Sequence, residues 1–331
     1  MMKLTTMHNF VATVNAAWES PVANEIAARW EPEPGTVKFF RASANFVCRF
    51  QKDSQAYFLR FNHADERRVE EITGEIAYLK YLSAQGIAVA NSIPSLAGKD
   101  VESAPTSLGT YHAVVFEAFV GKEMHIEGMD DHRFTLWGKA LGELHRASQQ
   151  YKQANRPTWQ DHLHLVAEIL TKDEDVARKE LAFLQSRLQD FPIQDQNFGL
   201  IHFDFELDNV IWHGSRLGII DFDDCAWYWF GADIAFALRD LFEDRADQVD
   251  FEQKAFLAFL DGYRLAKTLD PETVRQIPLF LRMHNLFMFA RLIRSLGDGG
   301  RADEPPWLAQ LRQKLSRKLD DYRHGFARYP R

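Results

Sequence analysis

Cysteine is scarce in this chain of 331 residues, which contains only Cys48 and Cys225. Two cysteines so far apart are too few for the disulfide framework of a small secreted protein, and they do not make a zinc site. The first 20 residues hold one lysine and no sustained apolar run, so no signal peptide is expected. We therefore expect a reducing, cytoplasmic setting.

The chain also lacks an excess of positive charge and has few long apolar runs. The net charge is −8, whereas general nucleic-acid binders usually present a basic surface. The most apolar helical stretch, residues 277–296, is interrupted by Arg282, His284, Arg291 and Arg294, which indicates a buried helix and not a membrane span. We expect a soluble protein that binds neither nucleic acid nor membrane, and the sequence predicts no oligomeric state.

The order of hydrophobic patterns indicates the fold class. A β pattern covers residues 37–61, a helical stripe covers 70–83, and a short β segment covers 111–119. The chain after these segments is mostly helical. This order predicts an α+β protein with a small β-rich N-terminal lobe, residues 1–120, and a large helical C-terminal lobe, residues 121–331.

The most informative segment, residues 200–224, carries several polar residues at telling distances from one another. His202 and Asp204 are separated by one residue, Asn209 follows Asp204 by five, and Asp221 follows Asn209 by twelve. A carboxylate, an amide oxygen and a second carboxylate are the groups that a magnesium–ATP phosphotransfer site needs. The joint spacing therefore predicts such a site.

A hairpin would bring two of these residues together. Two short apolar runs flank turn residues, and if Trp212 pairs with Leu217, Asn209 falls opposite Ile220. Cross-strand neighbours lie about 4.5–5.5 Å apart at Cβ. Asn209 and Asp221 would then be near enough to share one metal ion at the open end of the hairpin.

Asp204 is the candidate catalytic residue because an Asp on a loop after an apolar strand can accept the proton of an attacking hydroxyl. Each residue alone has a simpler interpretation as a turn, cap or strand-end residue. A metal-hydrolase site of His202, Asp204 and His213 would place His213 at the far end of the hairpin, so we reject it. Asp223 could hold a second ion, although a solvated surface carboxylate is the simpler interpretation.

Arg60 and Glu75 form a candidate pair in the N-terminal lobe. Glu75 lies within the apolar stripe of its helix, where a carboxylate is costly unless it is paired. Arg60 lies in the middle of a strand, and a strand cation paired to a helix Glu holds the ATP phosphates in kinase-like sites. The alternative is a stripe-edge Glu and an Arg that extends to solvent.

Two further segments are weaker candidates for nucleotide binding. Backbone N–H groups of the turn that contains Ser43 and Asn45 could cover phosphates, although this turn has no glycine. Backbone groups near Glu117 and Phe119 could hydrogen-bond an adenine edge. A plain turn and an ordinary linker strand are the competing interpretations.

These motifs resemble the aminoglycoside phosphotransferase/choline kinase-like family. The resemblance runs from about residue 37 to 241 and rests on HFDFELDN, IDFDD, the following G-x-D-I-A and the Arg60/Glu75 arrangement. Asp233 of G-x-D-I-A opens a helix and fits an N-cap. Family members usually read His-Gly-Asp where this chain has Phe203 in the middle position.

The resemblance implies a protein-kinase-like two-lobed fold that uses ATP and Mg²⁺. It implies Asp204 as the catalytic base and Asn209 and Asp221 as magnesium ligands. His202 would brace the catalytic loop and Asp233 would support it from behind.

The resemblance also implies that Arg60 binds the ATP phosphates and that Glu75 orients it. The reaction would be transfer of the γ-phosphoryl group to a hydroxyl of a small molecule that is aminoglycoside-, amino-alcohol- or homoserine-like. Protein kinases carry Lys two residues after the catalytic Asp, whereas this chain has Glu206 there, which argues against a protein substrate. A nucleotide-binding regulatory protein without turnover is the other alternative.

The charge of the acceptor is left open by the sequence. Asp240, Glu243 and Asp244 weakly favour a cationic acceptor, although a solvated helix end explains them better. Arg282 and His284 could instead recognise an anionic acceptor.

Overall fold

A computed structural model describes residues 1–153, 155–297, 299–300 and 304–329. Within these residues the α-helices are α1 (Leu4–Val11), α2 (Pro21–Ala27), α3 (Val69–Ala84), α4 (Asp131–Ser148), α5 (Trp159–Ile169), α6 (Asp175–Gln189), α7 (Phe230–Ala237), α8 (Lys254–Ala266), α9 (Pro271–Arg275), α10 (Ile277–Leu296) and α11 (Pro306–Arg328). The strands are β1 (Lys38–Ala42), β2 (Phe46–Lys52), β3 (Gln55–His63), β4 (Ser92–Ile93), β5 (Glu102–Thr106), β6 (Gly109–Glu117), β7 (Phe198–Ile201), β8 (Val210–His213), β9 (Arg216–Ile219) and β10 (Ala226–Trp229).

Packing groups the chain into two compact units, each assembled from three stretches. The first unit contains Met1–Ala77, Ala90–Ala118 and Arg291–Arg317, and the second contains Tyr78–Val89, Phe119–Ala290 and Lys318–Arg331. The boundary predicted after residue 120 lies close to the division after Ala118. Of the other divisions, three fall inside α3, α10 and α11 and one follows Val89, between α3 and β4, and local sequence patterns reveal none of them.

The first unit is built around a six-stranded sheet in the order β1-β2-β3-β6-β4, with β5 paired to β6. Its core is aromatic: the Phe46 and Phe61 ring centroids lie 5.4 Å apart on neighbouring strands, and Phe10 of α1 lies 4.4 Å from Phe46. Arg60 precedes Phe61 in β3. Because side chains alternate along a strand, Arg60 lies on the face opposite this aromatic core.

The predicted hairpin is present in the second unit as β8 and β9. Trp212 pairs with Leu217, which confirms the predicted register. The Ile220 N–H donates to the Asn209 carbonyl at 3.0 Å. Asn209 and Asp221 therefore lie on neighbouring chain segments at the open end of the hairpin.

Helices α4 and α8 of the second unit approach each other closely because a glycine lies at their contact. A Cβ at Gly138 would lie 1.9 Å from the carbonyl oxygen of Phe259, which no side chain could tolerate. The close approach brings His145 Nδ1 of α4 to 2.9 Å from the Tyr263 hydroxyl of α8. This contact positions a histidine that takes part in the candidate active site.

The charged residues of the apolar helix α10 include one that is paired inside the second unit. Arg282 donates through Nε and Nη2 to the two carboxylate oxygens of Glu180, at 2.7 Å each, and both side chains are buried. Removing one partner of such a pair leaves an uncompensated buried charge. Arg282 therefore gives no support to recognition of an anionic acceptor.

None of the helices in the described residues combines the length and the apolar composition that a membrane span needs.

Candidate active site

A buried carboxylate holds the backbone of the loop that carries Asp204. Asp233 is fully buried and accepts hydrogen bonds from the N–H groups of His202, at 2.9 Å, and Phe203, at 2.8 Å. It also lies 2.9 Å from His145 Nε2. These bonds fix the loop at the two residues that precede Asp204.

The prediction that Asp233 caps a helix is wrong. Helix α7 begins at Phe230, with Trp229 in the N-cap position, so Asp233 lies inside its first turn. Without Asp233, the N–H groups of His202 and Phe203 would have no hydrogen-bond acceptor in this loop. Burial lowers the pKa of His145 against the opposing effect of Asp233. A neutral His145 then donates from Nε2 to Asp233 and accepts at Nδ1 from Tyr263.

His202 connects the same loop to the hairpin. It is fully buried, its Nδ1 accepts the Asp204 N–H at 3.2 Å, and its Nε2 lies 2.9 Å from the Ile220 carbonyl oxygen. Both ring nitrogens are thus engaged with backbone groups. This arrangement leaves neither nitrogen of His202 available to a metal ion.

Two residues of this region adopt left-handed backbone conformations although they are not glycine. Phe203 has φ +76° and Asp221 has φ +63°, which costs about 1–2 kcal/mol for a residue with a Cβ. The Phe203 ring is buried, with centroids 5.4, 4.9 and 5.4 Å from those of Tyr228, Phe236 and Phe287. Burial of the ring offsets the strain where the related family usually has glycine. Strained positions of this kind cluster at functional sites.

The Asp204 carboxylate is held at both oxygens. Arg239 Nη2 donates to Oδ1 at 2.9 Å, and Asn209 Nδ2 donates to Oδ2 at 3.1 Å and to the Asp204 carbonyl at 2.8 Å. The side chain of Asp204 is still 33% exposed. A small molecule can therefore reach a carboxylate whose orientation is already fixed.

Asn209 and Asp221 have the chemistry of a magnesium site that is completed by phosphate oxygens. The amide nitrogen of Asn209 points to Asp204, which leaves the amide oxygen as its remaining ligand atom. Magnesium is usually bound through one or two carboxylates together with substrate phosphates. In the part of the chain that the structure describes, no group of three His, Cys, Asp or Glu side chains could hold a metal ion. An amide oxygen and one carboxylate suit a magnesium ion whose other ligands are phosphate oxygens.

Sequence reasoning missed Arg239, which begins a 3₁₀ turn, Arg239–Phe242. Its Nη2 donates to Glu206 as well as to Asp204, and its Nη1 donates to the Phe236 carbonyl at 2.9 Å. Burial and the neighbouring Asp204 raise the pKa of Glu206 to about 7, against the opposing effect of the Arg239 guanidinium. An arginine directly after the apolar run of α7 was the available signal.

The predicted pair of Arg60 and Glu75 is present in the first unit. Nη1 donates to Oε1 at 2.9 Å and Nη2 to Oε2 at 2.6 Å, and both side chains are buried. The guanidinium also lies 5.1 Å from the Phe116 ring centroid. Such bidentate pairs combine charge with a fixed geometry.

The turn that contains Ser43 and Asn45 lies between β1 and β2. The Ser43 N–H donates to the Asn45 carbonyl at 3.1 Å, so it is used within the turn. Asn45 is buried, and its Oδ1 accepts from Asn62 Nδ2 at 2.7 Å. The Asn45 side chain thus stabilises the turn, and phosphate contacts by these two residues stay a prediction.

Glu117 and Phe119 lie at the end of β6 and just after it. The Glu117 N–H donates to the Asn91 carbonyl at 3.2 Å, so this donor already has a partner. The Phe119 ring covers Gly218 of β9, where a Cβ would approach the ring to 2.7 Å. Glycine at this position allows the ring to lie on the hairpin, and adenine contacts by both residues stay predictions.

The other acidic residues of the second unit differ in their surroundings. Asp223 is buried, so its interpretation as a solvated surface carboxylate is wrong. Asp244 pairs with Lys318 at 2.8 Å, whereas Asp240 and Glu243 are exposed. A cavity of about 720 Å³ is lined by Glu243 and Asp244, among others.

Comparison with known proteins gives a family match over most of the chain. Residues 36–270 match the model of the phosphotransferase enzyme family. Amicoumacin kinase of Bacillus subtilis (strain 168) is 29% identical over 315 residues, which cover 90% of this chain and 92% of that protein. Homoserine kinase of Methylobacterium sp. (strain 4-46) is 28% identical over 243 residues, which cover 69% of this chain and 71% of that protein.

A solved structure gives an independent comparison of the fold. It is an amicoumacin kinase in complex with AMP-PNP, Ca²⁺ and its ligand, and it superposes with a TM-score of 0.76 at 27% identity. The superposition covers 94% of this chain and 96% of that one. This likeness confirms the predicted protein-kinase-like fold.

Proposed function

Because the chain belongs to the phosphotransferase enzyme family, we propose that it is a kinase that transfers the γ-phosphoryl group of ATP to a hydroxyl group of a small molecule. The observation that carries the proposal is the Asp204 carboxylate. It is held at both oxygens by Arg239 and Asn209 and is open to solvent. A carboxylate fixed in this way can orient an attacking hydroxyl and accept its proton.

The remaining roles follow the same chemistry. Asn209 and Asp221 would hold Mg²⁺, which would neutralise charge on the ATP phosphates. His202 and Asp233 fix the backbone of the Asp204 loop through the bonds described above, so Asp204 needs little reorganisation when the acceptor arrives. Arg60, oriented by its bidentate bonds to Glu75, would bind the phosphates.

We propose an acceptor that carries an amine as well as a hydroxyl group. One guanidinium, that of Arg239, faces the two carboxyl groups of Asp204 and Glu206, so negative charge is in excess beside the proposed base once Glu206 ionises, near pH 7 and above. A positively charged acceptor balances this excess. Amicoumacin, homoserine, amino alcohols and aminoglycosides are therefore the first compounds to test.

We place the reaction in the cytoplasm. The cysteines Cys48 and Cys225 are both free and buried, which suits a reducing compartment. Glu206 in place of the protein-kinase lysine supports a small-molecule acceptor over a protein.

A transfer screen tests the proposal. Purified protein with ATP and Mg²⁺ is incubated with amicoumacin, homoserine, amino alcohols, sugars and aminoglycosides, and phosphorylated product is detected by mass spectrometry. We expect one amine-bearing compound to be phosphorylated, and Asp204→Ala to bind ATP but form no product. ATP binding by the wild type without transfer to any acceptor would favour a regulatory protein without turnover.

A further inference from the structure

The loop around Asp204 carries a charge that is unexpected for phosphoryl transfer. Glu206 lies two residues after Asp204, where protein kinases have a lysine that assists the transfer. A carboxylate at this place adds negative charge beside a phosphoryl group that is itself negative, and like charges at close range are destabilising. The loop therefore needs a cation from elsewhere in the chain.

Arg239 is the cation that reaches this loop. Its Nη2 donates both to Asp204 Oδ1, at 2.9 Å, and to Glu206 Oε2. We propose that Arg239 is a positioning residue of the reaction, that it supplies the positive charge which the loop lacks, and that Glu206 anchors it. This inference rests on the proposed kinase function.

The guanidinium is held in a way that suits this role. Its Nη1 donates to the Phe236 carbonyl at the end of α7, and the side chain is only 13% exposed. Phe236 and Glu206 fix the plane of the guanidinium, and Arg has the rigid fork that such fixation needs. Arg239 can then act on Asp204 with little loss of conformational entropy during the reaction.

Asp204 depends on Arg239 for more than charge balance. Asn209 holds Oδ2 and the backbone carbonyl of Asp204, and Arg239 holds Oδ1. With both contacts, the carboxylate has one orientation. Without Arg239, it can rotate about its side-chain bonds, and the hydroxyl of the acceptor loses its fixed partner.

Four variants test the inference: Arg239→Gln, Arg239→Lys, Glu206→Gln and the double variant Arg239→Gln/Glu206→Gln. Arg323→Gln is the control, because Arg323 also donates to carboxylate oxygens, those of Glu174 at 3.1 and 2.6 Å, and has no proposed role in the reaction. For each protein we measure kcat and KM with the acceptor found in the transfer screen. Affinity for AMP-PNP with Mg²⁺ and the thermal unfolding midpoint are measured in parallel.

We expect Arg239→Gln to lower kcat about 100-fold, the usual cost of removing one preorganised donor from a site where charge develops. Affinity for AMP-PNP should change by less than about threefold, because the proposed role concerns Asp204 and not the nucleotide. Arg239→Lys should recover about tenfold of the loss. Arg323→Gln should keep its kcat.

The coupling between Glu206 and Arg239 is the sharpest part of the test. Glu206→Gln should lower kcat about tenfold, and the double variant should be no slower than Arg239→Gln, because the anchor has no effect once Arg239 is gone. Equal kcat in wild type and Arg239→Gln, or effects that multiply in the double variant, would overturn the inference. If Arg239→Gln does not fold, unchanged kcat in Glu206→Gln overturns it.

The two proposals fail in different ways. If wild-type protein binds AMP-PNP but transfers phosphate to no acceptor, the proposed function fails and this inference fails with it. If wild-type protein is active and the Arg239 variants are equally active, only the role of Arg239 fails.

Discussion

Two arginine–carboxylate groups, one in each compact unit, differ in how their charge is balanced. In the first unit, Arg60 and Glu75 form a bidentate pair with both side chains buried. In the second unit, Arg239 is shared between Asp204 and Glu206, which stay 33% and 24% exposed. The first pair is neutral and buried, so it fixes the orientation of the guanidinium. The second group has an unbalanced negative charge and an open face, as a site that receives a substrate requires.

The largest expected effect tests whether the open group in the second unit lies beside a metal site. Asp221→Ala should abolish Mg²⁺-dependent nucleotide binding, because a proposed ligand at the open end of the hairpin is lost. The fold should persist, since alanine keeps the Cβ and its strain at φ +63°, about 1–2 kcal/mol, is small beside the stability of the unit. Calorimetric titration with AMP-PNP and Mg²⁺ measures the affinity.

Asp224→Ala is the control for Asp221→Ala, since it removes a nearby carboxylate that has no proposed metal role. Affinity for AMP-PNP with Mg²⁺ that is the same in Asp221→Ala and wild type would refute the metal assignment.

The next effect tests the buried pair of Arg60 and Glu75 in the first unit. Glu75→Ala leaves the Arg60 charge buried without its partner, so we expect a loss of about 3–5 kcal/mol in the free energy of unfolding. Chemical denaturation measures it. Glu70→Ala, at an exposed position of the same helix, should change stability by less than about 1 kcal/mol. Similar losses of unfolding free energy in Glu75→Ala and Glu70→Ala would show that the Arg60 charge does not depend on Glu75.

A smaller effect is the difference in stability between two variants of the strained loop before Asp204. Phe203→Ala should lose about 3–5 kcal/mol of stability through loss of the buried ring. Phe203→Gly should be about 1 kcal/mol more stable than Phe203→Ala, because glycine adopts φ +76° without strain. Thermal and chemical unfolding compare the two variants. An alanine variant as stable as the glycine variant would show that the backbone at residue 203 is unstrained.

The smallest effect compares the charge balance of the two groups through pH. The folded-state pKa of Glu206 is raised from 4.5 to about 7, so the folded protein binds more protons than the unfolded chain between these values. The contribution of Glu206 to the free energy of unfolding is therefore lost as pH rises from about 4.5 to 7. Asp204, Asp208, Asp240 and Arg239 are the charged groups that act on it.

Glu206→Gln removes this dependence. The free energy of unfolding of the wild type relative to this variant should fall between pH 5 and pH 8, as measured by urea denaturation. A difference that stays constant or rises with pH would contradict the excess of negative charge in the second unit.

Local sequence patterns predicted two kinds of feature. In one kind the interacting residues are close together in the chain, and in the other a buried charge requires a partner of opposite charge. The Trp212–Leu217 register follows from turn length, and the Arg60–Glu75 pair follows from a carboxylate that could not be buried alone. The family resemblance implied that Asp233 supports the loop, but its position in the helix was predicted wrongly, because a helix-opening Asp is usually a cap. Here its helix begins earlier, and its carboxylate serves N–H groups about 30 residues away in the chain.

Arg239 was missed for a related reason. It lies 35 residues after Asp204 in the chain, outside every motif, and only the tertiary structure brings the two together. The excess of acidic residues near Asp240 and Asp244 was visible in the sequence, but the pairing of Asp244 with Lys318 was not. Long-range pairing of charges on a helical surface leaves no periodic signal.

The most direct test of the account is the transfer of labelled phosphate from γ-labelled ATP to an amine-bearing hydroxyl compound, by wild type and by Asp204→Asn. We predict labelled acceptor with the wild type, and a rate lower by about 10²–10⁴-fold with Asp204→Asn, the usual contribution of a positioned general base. Binding of AMP-PNP should be retained in the variant. Equal transfer by wild type and Asp204→Asn would contradict the central claim that Asp204 orients and deprotonates the acceptor.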